Sequence, residues 1–270
     1  MATRTHQPSI PLTEIEQSAF CRTEDQLPAK SLAEEQAVNV RWQDIPAQYL
    51  HCSVEELDQR IGIAKKTLGK SVTILGHHYQ REEIIKYADF QGDSFLLSQE
   101  AASLAEAECI VFCGVHFMAE TACILSASNQ RVILPNITAG CSMADMAPME
   151  DVDDAWEDLE SVLGNRGGIT PITYMNSIAG IKALCGRNNG AVCTSSNADK
   201  VMEWGFQQSD RVLFLPDQHL GRNTGLKMGI PLDKMVVWDP FKAMGGNTTE
   251  QLANAKLVLW KGHCSVHTRF

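Results

Sequence analysis

Two of the nine cysteines stand where a thiolate could reach an inorganic centre or a bulky ligand. Cys141 lies in Ala139-Gly140-Cys141-Ser142-Met143-Ala144, and Cys264 in Trp260-Lys261-Gly262-His263-Cys264-Ser265-Val266-His267. Each follows an apolar run that reads as a buried strand, Val132 to Leu134 and Leu257 to Trp260. Gly140 and Gly262 let the backbone turn tightly beside them. Other polar groups also follow apolar runs. His77 and Tyr79, after Val72 to Gly76, suit donation to a carboxylate and general acid or base work. Ser94 and Ser195 precede helical patterns, where hydroxyl and backbone N–H groups hold carboxylate or phosphate. Tyr174 and Asn176 follow Pro171 to Thr173. Plainer readings stand beside these: Ser94 as an N-cap, Ser196 with Asp199 as a capping box, Asn176 in an Asx turn, His78 and His116 as capping or packing residues.

The elements that must position these groups alternate. Leu57, Ile61, Ala64 and Leu68 have helical spacing; Val72 to Gly76 reads as a strand; Ile84, Ile85 and Ala88 share a helix face, as do Leu97, Ala101 and Leu104. Ile110 to Phe112 is a strand, followed by a helix through Ala119 to Leu125. The pattern then returns, with strands at Pro171 to Thr173, Ala191 to Cys193 and Val212 to Leu215, each ending in a polar tip and the first two followed by helices. Such alternation predicts βαβ crossovers and small parallel sheets, with ligands at the carboxyl ends of strands. The fold class is therefore α/β, as two copies of one unit. The boundaries expected are an arm over 1–50, a first repeat over 51–150 and a second over 151–270. Between the copies, Val152, Trp156 and Leu159 share a face in the acidic run 150–160, a solvated amphipathic helix rather than a metal site.

Composition narrows the class. The 270 residues, 44% hydrophobic and 21% charged, suit a soluble globular protein. No apolar run approaches the ~18 residues of a membrane span. The first thirty residues lack a hydrophobic signal region, and Glu14, Glu16, Glu24 and Asp25 argue against a transit peptide, so the chain is expected in the cytosol. A net charge of −10 disfavours nucleic acid and anionic membranes as partners. The odd, scattered cysteines lack any CxxC pair and argue for packing residues over a disulfide framework. No GxGxxG or GxxxxGK[ST] loop supports a nucleotide site.

Taken together, Gly-His-His-Tyr-Gln, Ala-Asp-Phe-Gln-Gly-Asp-Ser, Phe-Cys-Gly-Val-His-Phe-Met-Ala-Glu-Thr-Ala, Ala-Gly-Cys-Ser-Met-Ala-Asp-Met, Thr-Tyr-Met-Asn-Ser, Cys-Thr-Ser-Ser-Asn-Ala, Leu-Pro-Asp-Gln-His-Leu-Gly-Arg-Asn and Trp-Lys-Gly-His-Cys-Ser-Val-His closely resemble the quinolinate synthase family of de novo NAD biosynthesis. The resemblance covers about residues 60 to 270 in order. It implies pseudo-symmetric three-layer αβα domains, three in the family, around a central [4Fe-4S] cluster. It also implies condensation of iminoaspartate with dihydroxyacetone phosphate to quinolinate, with L-aspartate oxidase as a source of iminoaspartate. By the same resemblance Cys141 and Cys264 are cluster ligands and Cys193 is not. His77, Ser94 and Ser195 would hold substrate carboxylates, with Tyr174 and Asn176 also in the binding set. Tyr79, Tyr174 and Asn176 would assist proton transfer and enolisation, and His267 matches an active-site histidine. One iron left open by the protein would act as a Lewis acid.

The family pattern also calls for a third domain with a His-Pro-Glu tip and a third cysteine, which these residues do not include. The expectation is of a truncated chain that alone binds a cluster poorly, makes little quinolinate and tends to aggregate through an uncovered apolar face. The rival reading is a non-catalytic remnant, or a partner-dependent subunit, that binds small dicarboxylates.

Overall fold

Among the described residues strand-to-strand pairing is parallel throughout, in two sheets. The computed structural model describes residues 45–104, 106–164, 168–264 and 267; the arm expected over 1–50 lies outside them up to residue 44. A short α1 (Ala47–Leu50) and an exposed α2 (Val54–Leu68), capped by Ser53 accepting from the Glu56 N–H, lead into the first sheet. That sheet comprises β1 (Val72–His77), β2 (Phe90–Gly92), β3 (Cys109–Cys113) and β4 (Arg131–Ile133), in the order β2-β1-β3-β4. Between them run α3 (Glu82–Ile85), α4 (Ser94–Ser103) and α5 (His116–Leu125). α6 (Ser142–Asp145) and the acidic α7 (Met149–Leu163) connect to the second sheet, and α7 buries Val152 and Leu159 as its pattern predicts.

The second sheet contains β5 (Thr170–Tyr174), β6 (Ala191–Cys193), β7 (Val212–Leu215), β8 (Met235–Trp238) and β9 (Leu257–Trp260), ordered β6-β5-β7-β9-β8. Its helices are α8 (Ala179–Arg187), α9 (Ala198–Gln208), α10 (Gln218–Lys227) and α11 (Thr249–Asn254). Side chains alternate along its central strands, and both faces are dry. Leu213, Leu215, Val258 and Trp260 pack with α7, α8 and α11, while Val212, Phe214, Leu257 and Leu259 pack with α9 and α10. This is a helix–sheet–helix sandwich, and the fold class is the one the alternation predicts. In the first sheet Leu75, Ile110 and Phe112 pack against Leu97 and Ala101 of α4 and Phe117, Met118 and Ala122 of α5. The other face of β3, with Cys109, Val111 and Cys113, is only half-buried.

Two expected caps are replaced by neighbours. Asp93, not Ser94, caps α4, its Oδ1 accepting from the Phe95 and Leu96 N–H groups at 2.9 Å each. Ser94 is thereby left inside the first turn with its hydroxyl available. The Ser196–Asp199 capping box does not form: Asn197 occupies the cap, its Oδ1 accepts from the Thr194 N–H at 2.7 Å, and Asp199 pairs with Lys227 at 2.8 Å.

Candidate active site at the strand tips

Because each sheet is parallel, its strand ends carry their polar tips to one edge. At the end of β1 His77 is buried, and its ring lies 3.9 Å from that of Tyr79, centroid to centroid. The Tyr79 backbone N–H donates to His77 Nδ1 at 3.4 Å, so the neutral ring carries its proton on Nε2, which faces Ser94 Oγ at 3.4 Å. Desolvation, reinforced by the charge of His78 and partly offset by Asp93, lowers the His77 pKa to about 4. The imidazole is uncharged at neutral pH and can donate to an oxygen. Tyr79 is half-exposed, yet desolvation together with neighbouring Cys141 pushes its hydroxyl up to about 12, so it stays protonated.

Cys141 forms the N-cap of α6, its carbonyl accepting from the Asp145 N–H at 2.9 Å. The His116 N–H donates to the Ala139 carbonyl at 2.8 Å and ties this loop to the start of α5. Cys141 itself packs against the first core. That core also takes in Met175, from the tip after β5. So the Tyr174–Asn176 tip of the second sheet reaches across to the Cys141 side.

The second tip is denser. Burial, with Cys264, Cys193 and Asp217 nearby, pushes the Tyr174 hydroxyl up to about 12 against the opposing hydrogen bond from Ser195. The Tyr174 ring meets His267 edge-on, 5.3 Å between centroids. His267 Nδ1 lies 2.9 Å from Asp217 Oδ2, with both residues buried. The other Asp217 oxygen accepts from the His219 and Leu220 N–H groups at 2.7 and 2.9 Å, capping α10. Asn176 is half-buried in the bend after β5, and Ser195 is exposed in the turn after β6.

Gly262 is required where it stands: a β-carbon there would overlap the carbonyl oxygen of Pro216. Without one, the chain after β9 runs against the tip of β7, the Gln218 N–H donating to the Gly262 carbonyl at 2.9 Å, and half-buried Cys264 follows. Trp260 Nε1–H donates to the Met146 carbonyl at 2.8 Å, joining the segment before Cys264 to the segment after Cys141. Cys185 and Cys193 lie in the two cores of the second sheet, where burial pushes each thiol up to about 12; they are packing residues.

Asp217 is the residue that reading the sequence misses. The strand–Pro–Asp–x–x–Leu pattern announces a cap at 217, but its contact with residue 267 depends on the pairing of β7 with β9. Among the described residues, no three His, Cys, Asp or Glu side chains converge as a metal-binding set. Two clefts, of about 670 and 540 Å³, sit elsewhere. They are lined by Trp156, Thr170 and Arg187, and by Lys70, Val72 and Asp89, near the amino ends of β5 and β1. Neither of these two clefts coincides with the tip chemistry, and the tips carry the stronger case because they gather the groups able to move protons.

Residues 59–270 match the model of the quinolinate synthetase A protein family. The chain belongs to that family. A quinolinate synthase from Corynebacterium glutamicum is 57% identical over 230 residues, covering 85% of this chain and 58% of the relative. Those of Acidobacterium capsulatum and Bacillus velezensis are 55% and 53% identical over 222 and 226 residues, covering 82% and 84% of this chain and 59% and 60% of theirs. This member of the quinolinate synthetase A family thus spans about three fifths of the length of these relatives. No helix among its described residues is long and apolar enough to cross a membrane.

Proposed function

We propose that the strand tips form part of a quinolinate synthase active site, in which iminoaspartate condenses with dihydroxyacetone phosphate, releasing phosphate and water. The observation that carries this is the pairing of two histidine–tyrosine–serine tips on two parallel sheets, in a chain whose relatives are named quinolinate synthase. His77, neutral and donating from Nε2, and Ser94 suit one substrate carboxylate; Ser195 with the Tyr174 hydroxyl suits another. Tyr79 and Tyr174, both protonated at neutral pH, can donate to oxygens that gain charge during enolisation and water loss. Asn176 orients the substrate beside Tyr174. His267 accepts or returns a proton on the side opposite the Asp217 contact.

Cys141 and Cys264 suit two ligands of a [4Fe-4S] cluster: both are half-buried thiols on loops tied together through Trp260 and Met146. When bound, such a cluster supplies an open iron that polarises a substrate oxygen. The cytosolic setting and supply of iminoaspartate by L-aspartate oxidase belong to the same proposal.

Quinolinate, the stable product that carries both carboxylates, titrated into the chain and followed by saturation-transfer NMR, is expected to bind, and Ser94→Ala/Ser195→Ala to weaken binding about tenfold. No binding, or unchanged binding in that variant, would overturn the assignment of the tips. After anaerobic reconstitution with iron and sulfide, Cys141→Ser/Cys264→Ser is expected to retain far less iron. Quinolinate formed from both substrates reads the whole reaction.

A further inference from the structure

Asp217 has no solvent exposure and is used on both oxygens, one by backbone N–H groups at the start of α10 and the other by His267. Such a carboxylate cannot swing, because the two N–H bonds fix its plane. It is also an acceptor toward everything around it, so the imidazole nitrogen 2.9 Å away must be the one that carries hydrogen. The Asn223 side-chain amide donates to the His267 carbonyl at 3.2 Å, and the His267 N–H to the Cys264 carbonyl at 3.1 Å, so the backbone of the histidine is held as well.

We propose that Asp217 is a positioning residue that fixes His267 as its Nδ1–H tautomer, leaving the Nε2 lone pair as the nitrogen that addresses the ligand beside Tyr174. Two β-strands make this possible. β7 presents Asp217 immediately after Pro216, and β9, paired beside it, returns the chain through Gly262 to His267. The role deepens the active-site reading above, since a lone pair held at Nε2 accepts a proton from substrate or a hydrogen bond from a substrate hydroxyl. A ring free to choose its tautomer would present the wrong face part of the time.

Asp217→Asn separates positioning from folding. Asn keeps Oδ1 for the His219 and Leu220 N–H groups, so α10 stays capped, but turns an N–H donor toward His267 Nδ1. Long-range 15N–1H NMR of the imidazoles in the chain, with the His267 signals assigned by their loss in His267→Gln, reads the tautomer directly. At pH 8 the wild-type protein is expected to show a protonated Nδ1 and a bare Nε2, and Asp217→Asn the reverse, with a thermal midpoint close to wild type. Asp217→Ala is expected to lower the midpoint through loss of the cap. A wild-type ring protonated on Nε2, or a tautomer unchanged by Asp217→Asn, overturns the proposal. Because the tautomer is read without turnover, that result is separate from any failure to make quinolinate.

Discussion

The first sheet hides one face behind two helices and leaves the other half-open along β3, whereas the central strands of the second are dry on both. Their histidines follow the same division. His77, at the end of the more open sheet, meets no carboxylate at hydrogen-bond distance among the described residues; it is stripped of water, neutral, and paired with a backbone N–H and a serine. His267, beside the closed sheet, stands on a carboxylate with no exposure at all. Burying Asp217 is affordable there only because three donors converge on it, two from a helix start and one from a histidine that β9 delivers. One residue type in two surroundings thus becomes a neutral donor in one half and an oriented acceptor in the other.

The burial contrast is broken or sharpened most strongly in the central strands. Leu213 lies on the second face of β7 with no exposure, and Leu213→Ala is expected to cost about 2–5 kcal/mol in urea unfolding. Val111, at the matching place on β3, is half-buried, and Val111→Ala should cost less than about 1.5 kcal/mol. Equal losses would mean that the two sheets are covered alike. The histidine contrast has a pH signature. The unfolded chain protonates His77 near pH 6.5, but the folded chain resists until about pH 4, so below 6.5 the unfolded state binds more protons. Stability should therefore fall by up to ~3 kcal/mol as pH drops from 6.5 to 4, and level off below. His77→Asn should remove that part of the slope in thermal midpoints measured across the window; an unchanged slope would place its origin elsewhere.

Strands with a buried face are legible as short apolar runs, and β1, β3, β5, β7 and β9 stand where Val72, Ile110, Pro171, Val212 and Leu257 begin such runs. β2 is legible only as a short stretch before the Ser94 tip, because Phe90–Gly92 is a three-residue edge strand, mostly exposed, paired among the described residues with β1 alone. The apolar run of β8, Met235–Trp238, is visible, but its place outside β9 is not, since sheet order depends on crossovers and not on local pattern. Local chemistry misleads at the caps as well: Ser94 has the right type, but Asp93 is one residue better placed, and at the second helix Asn197 holds the cap position while its side chain accepts from Thr194 instead. His77, Tyr79 and Ser94 could be gathered from the sequence because one crossover joins them. Asp217 and His267 could not, because fifty residues and the register of β7 against β9 separate them.

The two cysteine loops offer the finest test of the same difference. Gly262 faces backbone, the Pro216 carbonyl, held by the bridge between Asp217 and Gly262 and by the sheet behind it. A methyl group at 262 has nowhere to go unless the tip of β7 separates from the chain leading to Cys264. Gly262→Ala should cost about 1–3 kcal/mol and loosen the His267–Asp217 contact, seen as a mixture of His267 tautomers. Gly140, before Cys141, faces only the Asp145 side chain, with Oδ2 at 2.8 Å from an added β-carbon. Asp145 is exposed, and its carboxylate can rotate aside. Gly140→Ala should therefore cost under about 1 kcal/mol and leave the tautomer of His267 as it is. If both substitutions cost the same, the Cys264 loop is not pinned by the closed sheet, and the precision attributed to the second tip would have to come from the ligand instead.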